Sequence, residues 1–97
     1  MKLRQLADDH RRFLCPGCND WHVVNSGWTW NGSVDTPTLD PSVLVTYPAV
    51  PDASDEFPEW RTERRCHSFV RNGRIEFLGD STHSLAGTIV DLPEDGA

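Results

Sequence analysis

The chain has 97 residues, 37% hydrophobic and 25% charged, which is enough for one small domain and no second. A chain of this length buries only about 60–65% of the surface its unfolded form exposes, so the core is thin and an added staple is expected. Nine basic residues against fifteen acidic ones, a net charge of −6, disfavour a nucleic-acid partner.

No stretch approaches the roughly 18 apolar residues of a membrane span, so no membrane partner is expected. The first residues, Met1-Lys2-Leu3-Arg4-Gln5-Leu6-Ala7-Asp8-Asp9, carry acids where a secretory signal needs an apolar segment. The expected location is the cytoplasm.

Strand signals dominate, but Lys2–Arg12, with Leu3, Leu6 and His10 three and four apart, is compatible with a short helix. Arg12–Cys15 and Trp21–Val24 flank Cys15-Pro16-Gly17-Cys18-Asn19-Asp20, the outline of a hairpin closed by a knuckle. Trp28-Thr29-Trp30 is a short alternating piece ended by Asn31-Gly32. Ser42–Tyr47 alternates and is rich in β-branched residues. Five of the seven prolines fall between Pro37 and Pro58, which predicts a mobile loop over about 47–60, with a second helix candidate inside Asp55–Arg64. Cys66–Arg71 and Arg74–Leu78 meet at Asn72-Gly73, a pair suited to the positive φ angles of a type I′ turn. Thr88–Leu92 is the last strand, stopped by Pro93. The expected fold is mostly β: one domain over 1–97, a small antiparallel sheet with a zinc knuckle and at most one or two short helices.

The three cysteines, Cys15, Cys18 and Cys66, cannot all pair in disulfides. Cys15-Pro16-Gly17-Cys18 has the spacing of a metal knuckle, and Zn²⁺ takes four such ligands in a tetrahedron. Cys66 supplies a third sulfur, and the fourth ligand is a histidine: His83 first, His22 as runner-up, His67 third. The hairpin register decides this order. With Asn72-Gly73 as the turn, Cys66 lies opposite Gly79, close to where Asp80-Ser81-Thr82-His83 begins, while His67 points to the other face of its strand. A structural zinc contributes about 10–16 kcal/mol, comparable with the whole stability of a small domain, about 5–15 kcal/mol. A catalytic zinc instead needs an open position and a nearby base, for which His67, Glu76 and Asp80 are available.

A second constellation, Trp28-Thr29-Trp30-Asn31-Gly32-Ser33 followed by Pro37-Thr38-Leu39-Asp40-Pro41-Ser42, places small polar side chains beside two tryptophans. Trp28, Trp30, Asn31 and Ser42 are the candidate ligand-binding residues. The competing reading makes the tryptophans core and gives the polar side chains to turns.

Taken together, Cys15-Pro16-Gly17-Cys18 with His22, Trp28-x-Trp30-Asn31-Gly32-Ser33, Pro37-Thr38-x-x-Pro41-Ser42, Arg65-Cys66-His67-Ser68-Phe69-Val70 and Asn72-Gly73-x-Ile75-x-Phe77-Leu78-x-Asp80-x-x-His83-x-Leu85-Ala86-Gly87 resemble a small family of uncharacterised phage and prophage proteins, often mislabelled as ammonia monooxygenase. That family is similar, at a greater distance, to a domain of unknown function in bacterial ubiquitin-like conjugation operons. The wider group's motifs fall here on Cys15 and Cys18, Gly32, Pro41 and Ser42, and Cys66 and His67. Many relatives carry Cys where this chain has Ser81. The resemblance implies a metal-dependent peptidase and, for a phage protein, the host cell's cytoplasm.

Two functions follow as expectations. One is a zinc-dependent hydrolase, a peptidase or ubiquitin-like deconjugase, with His67 or Asp80 as catalytic residue near the metal. The other is a non-catalytic module with structural zinc on Cys15, Cys18, Cys66 and His83 that binds a host protein or peptide. The number of protein ligands on the metal separates them.

Overall fold

A computed structural model of the chain describes residues 1–95. Eight strands form two antiparallel sheets: β1 (Leu3–Gln5), β2 (Arg11–Cys15) and β3 (Asp20–Val24) in one, and β4 (Thr29–Trp30), β5 (Leu39–Tyr47), β6 (Arg64–Arg71), β7 (Arg74–Phe77) and β8 (Ile89–Asp91) in the other, each in chain order. The class is the mostly β one expected, divided between two sheets. No helix of the described residues is long and apolar enough to cross a membrane.

Alternation builds the core. Phe13 and Cys15 on β2, Val24 on β3, Val43 on β5, Cys66 and Val70 on β6, and Ile75 and Phe77 on β7 are buried, and with Leu3, Leu39 and Leu92 they form a single cluster drawn from both sheets. The β6–β7 register is the expected one, Val70 opposite Ile75 and Ser68 opposite Phe77. Asn72 and Gly73 both have positive φ, 51° and 77°, as a type I′ turn requires. The first hairpin closes through Asn19 in the left-handed region, φ 52°, with its amide donating to the Cys15 carbonyl.

Three local expectations are corrected. The Lys2–Arg12 segment is strand and turn rather than helix: Leu3 pairs with Phe13, and Asp8 and Asp9 take positive φ, which no helix continues. Only Pro58–Arg61 of the Asp55–Arg64 stretch turns helically, as one 3₁₀ turn. β7 ends at Phe77, so the ladder stops before Cys66 and Gly79 can pair.

One irregularity positions the site. Between Leu39 and Val43 the β5–β6 register slips: four steps along β5 oppose the two from Val70 to Ser68 on β6. Asp40, Pro41 and Ser42 therefore bulge from the ladder. Such a bulge bends its strand and re-aims a side chain.

Candidate active site and metal centre

Strand alternation sends Cys66 and His67 to opposite faces of β6, and each belongs to a different cluster. On the core side, Cys15, Cys18, Cys66 and His83 bring their ligand atoms within 4.8 Å of one another. Cys15 Sγ lies 3.7 Å from Cys66 Sγ, and His83 Nε2 lies 3.4 Å from Cys66 Sγ. A tetrahedral zinc with ordinary bond lengths spaces sulfurs about 3.8 Å apart and a sulfur and nitrogen about 3.6 Å apart. The donor set fits such an ion in both spacing and type.

The ligands come from the end of β2, the knuckle, β6 and the loop after β7, so one ion would tie the two sheets together. Cys15 and Cys66 are fully buried. Hydrogen bonds from the thiols of Cys18 and then Cys66 hold the Cys15 thiol low, at about 3, and its partner Cys66 is pushed up in return, chiefly by Cys15. The cluster thus favours a thiolate, the form a metal binds. His83 lies edge-on to Phe77, with ring centroids 4.4 Å apart, and against Gly17, where a Cβ would stand only 2.3 Å from the ring. The glycine of the knuckle is what admits the histidine. Nε2 faces the sulfurs, and the Leu85 amide lies 3.3 Å from Nδ1.

His22 stands apart from this cluster: it is buried edge-on to Phe13 with centroids 5.5 Å apart. His67 is excluded from it by its direction.

On the outer face, His67 joins Ser42 and Asp80. Its Nε2 is 3.0 Å from Ser42 Oγ and its Nδ1 is 3.2 Å from Asp80 Oδ2. Asp80 accepts, so Nδ1 carries the imidazole proton and Nε2 offers its lone pair to the serine hydroxyl. Arg65 Nη1 stands 4.0 Å from the same carboxylate oxygen. Ser42 is delivered by the β5 bulge, and the Trp28 indole donates to its carbonyl at 3.4 Å. A serine, a histidine and a carboxylate in this order of contact have the arrangement in which an imidazole can take a hydroxyl's proton and a carboxylate can orient the imidazole.

The other expected ligand-binding residues do not gather on this face. Trp28 and Trp30 are half-buried against the core. Asn31 is used by its own turn: its amide donates to the Thr36 carbonyl, and its oxygen accepts from the amides of Ser33 and Thr38. Ser42 alone of the four meets His67. The pairing of Ser42 with His67 and Asp80 is the feature that sequence reasoning missed; its trace is the strand parity that turns Ser42 and His67 away from the core.

The family comparison agrees with this geometry. Residues 3–78 match the model of BubE, described as the bacterial ubiquitination-like system serine protease. The chain belongs to that family. The matched stretch includes Cys15, Cys18, Ser42, Cys66 and His67, and Asp80 and His83 follow directly after it. The distant link to ubiquitin-like operons, expected from the motifs, is the one the BubE match supports. No curated protein and no solved structure matches the chain.

Proposed function

We propose that this BubE-family chain is a serine peptidase in which Ser42 is the nucleophile, His67 the general base and then acid, and Asp80 the group that orients and stabilises the imidazole. The observation that carries the reading is the His67 ring bridging Ser42 Oγ at 3.0 Å and Asp80 Oδ2 at 3.2 Å. Ser42 Oγ attacks the scissile carbonyl carbon while its proton passes to His67 Nε2. The C–N bond then breaks and the leaving amine takes that proton. Water, deprotonated by the same nitrogen, releases the acyl group from Ser42. The family description supports a peptide or isopeptide bond to a ubiquitin-like protein as the substrate.

Zinc is the metal that fits three sulfurs and one imidazole best, held by Cys15, Cys18, Cys66 and His83. Four protein ligands leave no position for water, so the ion would contribute stability. In this reading His67 and Asp80 serve the serine hydroxyl and not a metal-bound water, His67 through its contact with Ser42 Oγ and Asp80 through its contact with His67.

The test is hydrolysis of a ubiquitin-like conjugate by the zinc-loaded protein. The reading expects turnover that Ser42→Ala abolishes with the zinc retained. Turnover that survives in Ser42→Ala overturns it, and a wild-type protein that binds conjugate without cleaving it favours the non-catalytic module.

A further inference from the structure

The acid of the triad sits on a segment that has left the sheet, so something other than a strand must hold it under His67. β7 stops at Phe77, so along Arg65–His67 the edge of β6 that faces away from β5 has no strand beside it, and the Leu78 amide, donating to the His67 carbonyl at 2.9 Å, is the last bond before the chain departs. Side chains complete that edge. The His67 amide donates to Ser81 Oγ at 3.0 Å, and the Ser81 hydroxyl donates to the His67 carbonyl at 3.1 Å. One hydroxyl, both donor and acceptor, therefore pairs with both backbone groups of the base. Thr82 repeats the pattern one step on: its Oγ1 accepts from the Arg65 amide at 3.0 Å, and its own amide donates to the Arg65 carbonyl at 2.8 Å. Ser81 is 8% exposed. It lies between Asp80, the triad acid, and the segment that ends at His83, a ligand of the metal centre.

We propose that Ser81 is a positioning residue of the triad: by accepting from the His67 amide and sharing the His67 carbonyl with the Leu78 amide, its hydroxyl fixes the neighbouring Asp80 against the imidazole. The inference rests on the triad reading above. Ser81 touches neither substrate nor nucleophile, and its effect passes through Asp80. It takes no part in the metal cluster, so a serine at this place costs the centre no ligand.

The experiment is saturation labelling of the zinc-loaded protein with a fluorophosphonate. Ser42 Oγ forms a P–O bond, the P–F bond breaks, fluoride leaves, and the serine proton passes to His67 Nε2. Loss of alignment of this kind lowers a rate by up to about 100-fold. Ser81→Ala is expected to lower the maximal labelling rate by about that factor, with the half-saturating concentration unchanged. Because Ser81 works through Asp80, Asp80→Ala/Ser81→Ala is expected to label no more slowly than Asp80→Ala alone. Ser81→Thr and Ser81→Val have the same shape and differ by the hydroxyl, so Thr restores the rate and Val does not; this pair decides the matter if the alanine variant melts too low. Equal rates in Thr and Val, or additive losses in the double variant, overturn the proposal. A folded wild-type protein whose Ser42 takes no label overturns the triad reading itself, which is a different result.

Discussion

Cys66 and His67 are adjacent on one strand and serve two centres: the sulfur enters the buried Cys15, Cys18 and His83 cluster, and the imidazole bridges Ser42 and Asp80 on the opposite face. The same strand alternation that makes a half-buried sheet keeps the Cys15, Cys18, Cys66 and His83 cluster apart from the Ser42, His67 and Asp80 one. The loop after β7 repeats the arrangement, with Asp80 on one side and His83 on the other.

The metal centre is expected to dominate stability. Purified protein should hold about one zinc per chain, and Cys66→Ser or a strong chelator should remove most of the folding free energy, since such a site contributes about 10–16 kcal/mol. Calorimetry with and without chelator checks this, and an unchanged melting curve contradicts it.

Gly17→Ala tests the packing of His83 against the knuckle. A Cβ there would approach the His83 ring to 2.3–2.7 Å, with no room for the imidazole to keep its place beside the sulfurs. Zinc affinity should fall by about tenfold or more, comparable with the loss of a group that orients a ligand. Competition with a chromophoric chelator measures it.

Asp80→Asn should leave the fold and zinc content intact while the turnover rate falls by about 10⁴, the effect of presenting the wrong imidazole tautomer in a serine triad. Ser42→Ala should alter stability by less than about 1 kcal/mol, since the change removes only a half-buried hydroxyl. Steady-state kinetics and thermal melts separate the two effects.

Acid should weaken the tie between the C-terminal segment and the first sheet. Asp95 bonds to Arg12 and to Arg4 at 2.8–3.3 Å, and Arg12 first, then Arg4, holds its carboxyl below the ordinary 3.8. A depressed carboxylate stabilises the fold above its unfolded value, and that contribution is lost as pH falls below 3.8 through the folded value. Asp95→Asn should therefore lower the melting temperature at neutral pH and match wild type in strong acid, as melts across that range will show.

Much of this was readable from residue types alone. The Asn72-Gly73 turn admits one register, and that register places Cys66 and His67 on opposite faces. The Cys-x-x-Cys knuckle, the lone Cys66 and His83 were a plausible set because few side chains bind zinc. The role of Ser42 was not readable, because it depends on a bulge that leaves four steps of β5 facing two of β6. No local pattern announces such a slip. The stretch before Arg12 misled for a similar reason: Leu3, Leu6 and His10 have helical spacing, but tertiary pairing of Leu3 with Phe13 outweighs that weak preference.

The identity of the attacking atom is the most direct test of the triad. Peptide mapping by mass spectrometry after fluorophosphonate treatment of the zinc-loaded protein should find a single adduct on Ser42, lost in His67→Ala. A folded, metal-loaded protein with Ser42 unmodified, or with the adduct on another residue, contradicts it.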